Sequence, residues 1–165
     1  RMRYVCDSCG AIHYQNPKII AGCIPVWEDK ILLCQRAIEP RRGLWTVPAG
    51  FMENGETTAE GAARETREEA TAHVEIERLH CYLDIPRINQ VYVIFIGRLL
   101  APDFAPGIES LATDLRTESE IPWDSLAFPS IAFALEKYYE DQRDGNVGLH
   151  LRSIDRSTWK PTRRG

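Results

Sequence analysis

The 165-residue sequence predicts an α/β fold, a mixed β-sheet packed by helices on each face and preceded by a small cysteine knuckle. Three observations carry this expectation. Apolar and β-branched runs recur between turn residues, two further segments repeat small or apolar residues at helical spacing, and a 44% hydrophobic content supplies one core but not two. The chain therefore divides into a knuckle at residues 1–16, a main domain at 17–142 and an extension at 143–165.

In the knuckle, Cys6-Asp-Ser-Cys9-Gly10 is a tight, glycine-terminated turn that can point two thiolates at one metal. A structural zinc takes four ligands, and His13 is the one other nearby candidate, so the zinc site is incomplete. The chain opens on Arg1 rather than Met, and we expect a preceding segment with a second cysteine pair. Two free thiols in a turn are the plain alternative.

Residues 19–27 form a strand, 28–30 a turn and 31–36 the returning strand of a hairpin. Residues 44–50 read as a third short strand, terminated by Pro48 and Gly50. A helix follows over residues 58–70, with Thr57 as N-cap and Glu60 three residues on in a capping box. Its inward face is expected to be Ala59, Ala62, Ala63, Thr66 and Ala70, small enough to lie close on a sheet with the carboxylates outward. Strands at 74–83 and 89–100 are separated by Pro86. A second helix at about 130–141 repeats Ile131, Ala134, Leu135 and Tyr138, and a last strand is expected at 147–151.

Composition excludes several classes of function. The longest strongly apolar run, residues 91–96, falls far short of the roughly 20 residues that span a bilayer. No apolar signal region stands at the start, so a cytoplasmic, reducing setting is expected. Five cysteines without secreted-protein spacing argue against a disulfide framework, and Cys23, Cys34 and Cys81 read as small buried hydrophobes. A net charge of -4 argues against a nucleic-acid partner. The charge is uneven: eight glutamates lie between Glu53 and Glu77, whereas Arg152, Arg156, Lys160, Arg163 and Arg164 make the end basic.

The acidic segment carries the chemistry. Glu65, Glu68 and Glu69 stand at i, i+3 and i+4, which places three carboxylates together on a helix where they repel one another. Arg64, four residues before Glu68, offers part of the compensation, and Glu56 can fix Arg64 by an ion pair. A cluster of hard oxygen ligands beside a glycine turn is also what magnesium or manganese binds. A solvated acidic helix face is the plain alternative.

Gly50, Glu56, Arg64, Glu65, Glu68 and Glu69 reproduce six fixed positions of the pattern G-x5-E-x7-R-E-U-x-E-E-x-G-U, and by them the chain resembles the Nudix hydrolases. Thr66, Thr71 and Ala72 depart from it, replacing an aliphatic residue, the glycine and a second aliphatic residue. None of these carries a carboxylate, so altered packing and helix termination are expected rather than lost chemistry. Thr71 matters most, because glycine there reaches positive φ cheaply. The stretches 12–18, 43–50, 83–86 and 120–128 extend the likeness to the zinc-ribbon-bearing Nudix proteins, which include FAD and ADP-ribose pyrophosphatases. Cys6 and Cys9 match the second cysteine pair of that subgroup.

The resemblance implies a Nudix-type α/β/α sandwich and metal-dependent hydrolysis of a pyrophosphate bond in FAD, ADP-ribose or a related dinucleotide, giving AMP and a phosphorylated product. It also implies Mg²⁺ or Mn²⁺ held by Glu65, Glu68 and Glu69, with the backbone carbonyl of Ala49 or Gly50 as a further ligand and Glu56 and Arg64 in support. Many members recruit a distant loop acid, and Glu109 is preferred here over Glu118 and Glu120 because Pro106-Gly107 shapes a turn that can aim it inward. Arg36 is the preferred phosphate grip, ahead of Arg41 and Arg42, and Phe51 stands with Tyr82, Phe104 and Phe128 among the aromatics that could stack on a base. NADH is demoted because its usual downstream signature is missing after Ala72, and a homodimer is an option by resemblance. His80 and His150 have no partner at metal-ligand spacing and receive no role. The rival reading is a non-hydrolytic nucleotide-sensing or nucleic-acid-binding protein; a complete carboxylate set argues against it.

Overall fold

The computed structural model describes residues 3–155, so Arg156, Lys160, Arg163 and Arg164 of the basic end lie outside the described residues. Its elements in chain order are β1 (Tyr4–Val5), β2 (Ile12–His13), β3 (Lys18–Trp27), β4 (Lys30–Arg36), β5 (Trp45–Thr46), β6 (Ala49–Phe51), α1 (Thr58–Ala70), β7 (Val74–Ile85), β8 (Gln90–Leu99), β9 (Ser110–Arg116), α2 (Pro129–Asp144) and β10 (His150–Ser153). β1 and β2 form a separate two-stranded ribbon around the cysteine turn. The other eight strands make one mixed sheet in the order β10-β7-β8-β3-β4-β5, with β6 against β3 and β9 against β4. β3 is parallel to β8 and β10 to β7; the remaining pairs are antiparallel.

Strand alternation sorts the two helices onto opposite faces. Ile20 and Ile24 of β3, with Ile94 and Ile96 of β8, pack into a core with Ile131, Leu135 and Tyr138 of α2. Their neighbours Ala21, Cys23, Val93 and Phe95 pack instead against Ala62 of α1. Cys23, Cys34 and Cys81 are all buried in these strands. α2 begins with Pro129, whose missing N–H is no loss in a first turn, and stops at Gly145 with φ 65°. It is longer at both ends than the periodicity predicts.

α1 has the predicted bounds, and its capping box is formed: the Glu60 amide donates to Thr57 Oγ1 at 3.2 Å and the Thr57 amide donates to Glu60 Oε2 at 2.8 Å. The predicted inward face needs correction. Ala62, Thr66 and Ala70 are buried, but so are Gly61, Glu65 and Glu69, while Ala59 and Ala63 are half-buried. Two of the acids expected to point outward are thus held inside the protein.

Four further expectations are corrected. β3 and β4 pair only at Val26–Ile31 and Trp27–Lys30; beyond the turn they splay, β3 toward β6 and β4 toward β5 and β9. The single strand expected at 44–50 is therefore two, β5 on β4 and β6 on β3, with Val47 and Pro48 crossing between them. β9 was not anticipated, because Ser-Leu-Ala-Thr-Asp-Leu-Arg alternates weakly; it pairs with β4 across a bulge. The last strand starts at His150 rather than 147 and joins the main sheet beside β7.

The departures from the Nudix pattern are accommodated locally. Thr66 is fully buried and its hydroxyl donates to the Ala62 carbonyl at 2.8 Å, which satisfies it in an apolar setting. Thr71 adopts the left-handed conformation at φ 50° that glycine reaches more cheaply. Its Oγ1 accepts from the Ala105 amide at 2.8 Å, tying the helix end to the loop that leads to Glu109. Ala72 is buried beside Ala70, Leu32 and Leu99.

Candidate active site

The splayed β3–β4 hairpin, the β5–β6 crossing, the glutamate-bearing side of α1 and the start of α2 enclose a cavity of about 1080 Å³. Gly50, Glu65, Glu68, Glu69, Glu109 and Arg36 all line it, together with Ala49, Phe51 and Arg64. The structure therefore brings the predicted acids of α1 and the loop acid into one space. Glu118 and Glu120 stay away from it: Glu118 pairs with Arg143 at 2.8 Å, and Glu120 caps Thr117.

Arg64 organises the acids. Its Nε and Nη2 donate to the two oxygens of Glu56 at 3.0 and 2.8 Å, and its Nη1 donates to Glu65 at 2.7 Å and Glu68 at 3.0 Å. Nη2 also donates to the Phe51 carbonyl at 3.1 Å, which ties α1 to β6. The hydrogen bonds from Arg64, then the Glu53 amide, hold the Glu56 carboxyl down at about 2. Burial acts the other way deeper in the cavity. Desolvation raises Glu65, and it pushes Glu69 up to about 8, with Glu65 and Glu109 adding repulsion and Arg36 opposing it. Burial thus disfavours the charged form of these acids, and a divalent ion supplies what burial withholds.

The carboxylates fit magnesium or manganese by donor type, being hard oxygens on two segments. A Cβ at position 50 would meet the Glu65 carboxylate and force it aside, so glycine leaves that carboxylate its place against β6. Among the described residues, however, no three of these acids bring their oxygens within 4.8 Å of one another. They share a cavity, and Arg64 is the cation seated between Glu65 and Glu68.

The loop bearing Glu109 lies directly on the end of α1. Gly107 donates its amide to the Glu69 carbonyl at 2.9 Å and Ala105 donates to that of Ala70 at 2.9 Å. A Cβ on Gly107 would overlap the Glu68 carbonyl, so glycine is required by close approach rather than by turn shape alone. Arg36 donates to the Pro40 carbonyl at 2.9 Å and lies 5.1 Å from the Phe128 ring centre. Phe51 is 50% exposed with Lys18 Nζ 4.7 Å from its ring centre. Arg41 also lines the cavity, as do Arg87, Tyr92 and Ser130, which sequence reasoning missed. Their signal was position only: Arg87 follows the strand-breaking Pro86, and Ser130 follows Pro129 in the first turn of α2.

In the knuckle, Gly10 takes φ 71° and donates its amide to the Cys6 carbonyl at 2.8 Å. The Ser8 side chain, 3.1 Å from Cys6 Sγ, with the Cys9 and Ser8 amides, lowers the Cys6 thiol to about 6. Among the described residues no third ligand group, His13 included, closes on the two thiols. No helix among the described residues is long and apolar enough to cross a membrane.

Comparison with known proteins identifies the family. The NUDIX domain profile matches residues 16–132. An ADP-ribose pyrophosphatase of Methanocaldococcus jannaschii is 30% identical over 132 residues, covering 78% of this chain and 74% of the relative. An NAD-capped RNA hydrolase of Vibrio atlanticus is 43% identical over 77% of this chain, which spans under half, 45%, of that relative. The crystal structure of a NUDIX hydrolase from Nitrosomonas europaea superposes with a TM-score of 0.90 at 56% identity, covering 92% of this chain and 86% of that one. The chain belongs to the Nudix hydrolase family.

Proposed function

We propose that this protein hydrolyses the pyrophosphate bond of a nucleoside diphosphate linked to another group, with ADP-ribose the foremost substrate and FAD a further candidate. Water adds across the P–O–P link, and AMP and a phosphorylated remainder leave. The observation that carries the proposal is the single cavity shared by Glu65, Glu68, Glu69, Glu109, Arg36 and Phe51. The similarity to the Methanocaldococcus ADP-ribose pyrophosphatase supports the choice of substrate.

In this proposal Glu65, Glu68 and Glu69 hold Mg²⁺ or Mn²⁺, helped by the Ala49 or Gly50 carbonyl. The metal, when bound, neutralises phosphate charge and makes phosphorus easier to attack. Glu109 takes the proton from the attacking water or joins the ligand set. Arg36 grips phosphate oxygens with its forked donors. Phe51 stacks on the base, and Arg64 with Glu56 keeps α1 and β6 in register. Cys6 and Cys9 supply two of the four ligands of a structural zinc; a complete tetrahedral set needs ligands beyond those described.

The test is AMP release with Mg²⁺ or Mn²⁺ from ADP-ribose, FAD, NADH, NAD-capped RNA and nucleoside triphosphates. Selective cleavage of ADP-ribose or FAD supports the proposal, and preference for NAD-capped RNA would reassign the substrate toward the Vibrio relative. Tight binding with no cleavage of any would place the protein with nucleotide sensors.

A further inference from the structure

A second cluster of ligating side chains lies away from the carboxylate cavity, and none of its members lines that cavity. His80, in the middle of β7, is fully buried. Its Nε2 is 2.9 Å from the Ala134 carbonyl, which can only accept, so Nε2 carries the proton and Nδ1 presents a lone pair. Nδ1 faces Asp141 Oδ2 at 3.8 Å. Asp141, in the last turn of α2, is 4% exposed, and its two oxygens stand 3.1 and 3.0 Å from Nε2 of His150, the first residue of β10. One ligand atom from each of the three residues lies within 4.8 Å of those of the other two.

We propose that His80, Asp141 and His150 form a binding site for a zinc-type divalent transition ion, fastening β10 and the end of α2 to β7. Ligand bonds of about 2.0–2.1 Å in a tetrahedral shell put neighbouring donors roughly 3.3 Å apart. The 3.0 and 3.8 Å separations from Asp141 bracket that value and the two imidazole nitrogens lie within 4.8 Å of each other, so adjustments on the order of an ångström close the shell. Two imidazoles and a carboxylate suit zinc, cobalt or nickel, whereas magnesium prefers oxygen alone, which separates this site from the carboxylate cavity. The Ala134 carbonyl already does what an outer partner of a metal-bound histidine does, fixing its tautomer and ring orientation. Arg78 stands where a cation belongs. Its Nη1 lies 3.4 Å from His80 Nδ1 and donates to the Gly148 carbonyl at 3.1 Å, and its Nη2 is 3.8 Å from Asp141. The side chain is partly exposed, so it can swing to solvent as the ion enters. Three protein ligands leave a fourth position for water.

The experiment is calorimetric titration of the full chain with Zn²⁺ or Co²⁺, in a Cys6→Ser/Cys9→Ser background and with saturating Mg²⁺ to occupy the acids. One equivalent of ion is expected. His150→Ala, at the partly exposed ligand, weakens binding on the order of 100-fold, and Arg78→Gln tightens it by removing the competing charge. A gain of affinity cannot arise from misfolding, so the second variant keeps the test decisive. No binding in the background protein, equal binding in His150→Ala, or unchanged affinity in Arg78→Gln would each overturn the site.

Discussion

Replacing Arg64 with methionine keeps the aliphatic stem and removes the cation that touches Glu56, Glu65 and Glu68 together. The Glu68 arm is 55% exposed and is worth only about 0.3–0.5 kcal/mol. The Glu65 side chain is 11% exposed and accepts a charge-assisted bond worth about 1.5–3 kcal/mol, and the paired bonds to Glu56, 15% exposed, add to it. Arg64→Met should therefore cost roughly 2–3 kcal/mol, which for a domain of this size lowers Tm by about 4–12 °C. The assay is urea and thermal unfolding with EDTA and again with saturating Mg²⁺. A bound divalent ion supplies charge that the variant lacks, so Mg²⁺ should stabilise Arg64→Met more than the wild type. Acid gives a second signature. The depressed Glu56 carboxyl contributes stability that is present above its ordinary value of 4.5 and is lost as pH falls toward about 2, so the gap between the proteins narrows over that window. Equal stability of the two proteins without metal, or equal gain from Mg²⁺, would refute the view that Arg64 is the resident countercharge.

Other substitutions test the loop that delivers Glu109. Gly107→Ala must push the loop off the Glu68 carbonyl, and a displacement of about 1 Å at Glu109 should lower kcat on the order of 100-fold while circular dichroism shows the fold intact; unchanged turnover would sever Glu109 from the chemistry. Thr71→Ala keeps the left-handed backbone and loses the bonds to Ala105, costing about 1–2 kcal/mol in urea unfolding. Thr71→Gly loses the same bonds and relieves the backbone, so it should be the more stable of the two; the reverse order would show that the φ of 50° carries no cost.

Local signals were legible in the sequence and non-local ones were not. Thr57 and Glu60 announce the start of α1 because a capping box is complete within four residues, and the i, i+3, i+4 acids follow from helix geometry alone. Burial of Glu65 and Glu69 was hidden, because helical spacing does not say that β6 and the Glu109 loop close over the same face. Pro106-Gly107 flagged a loop that does reach the cavity, but for an incomplete reason: the glycine serves the contact with α1. The strand at 44–50 divides because β3 and β4 diverge after two residue pairs, a consequence of what inserts between them. His80, Asp141 and His150 come from β7, α2 and β10, and only the parallel pairing of β10 with β7 makes them neighbours.

The most direct test of the central claim is the rate of AMP release from ADP-ribose by Glu69→Gln beside wild type, with Mg²⁺ varied in both. Glutamine keeps the shape of a side chain that is 7% exposed, so folding should survive while the carboxylate proposed to hold the metal is lost. The account predicts a fall of about 10²–10³ in kcat, comparable to losing one preorganised electrostatic group, with weaker apparent affinity for Mg²⁺. Full turnover at unchanged Mg²⁺ dependence would contradict it.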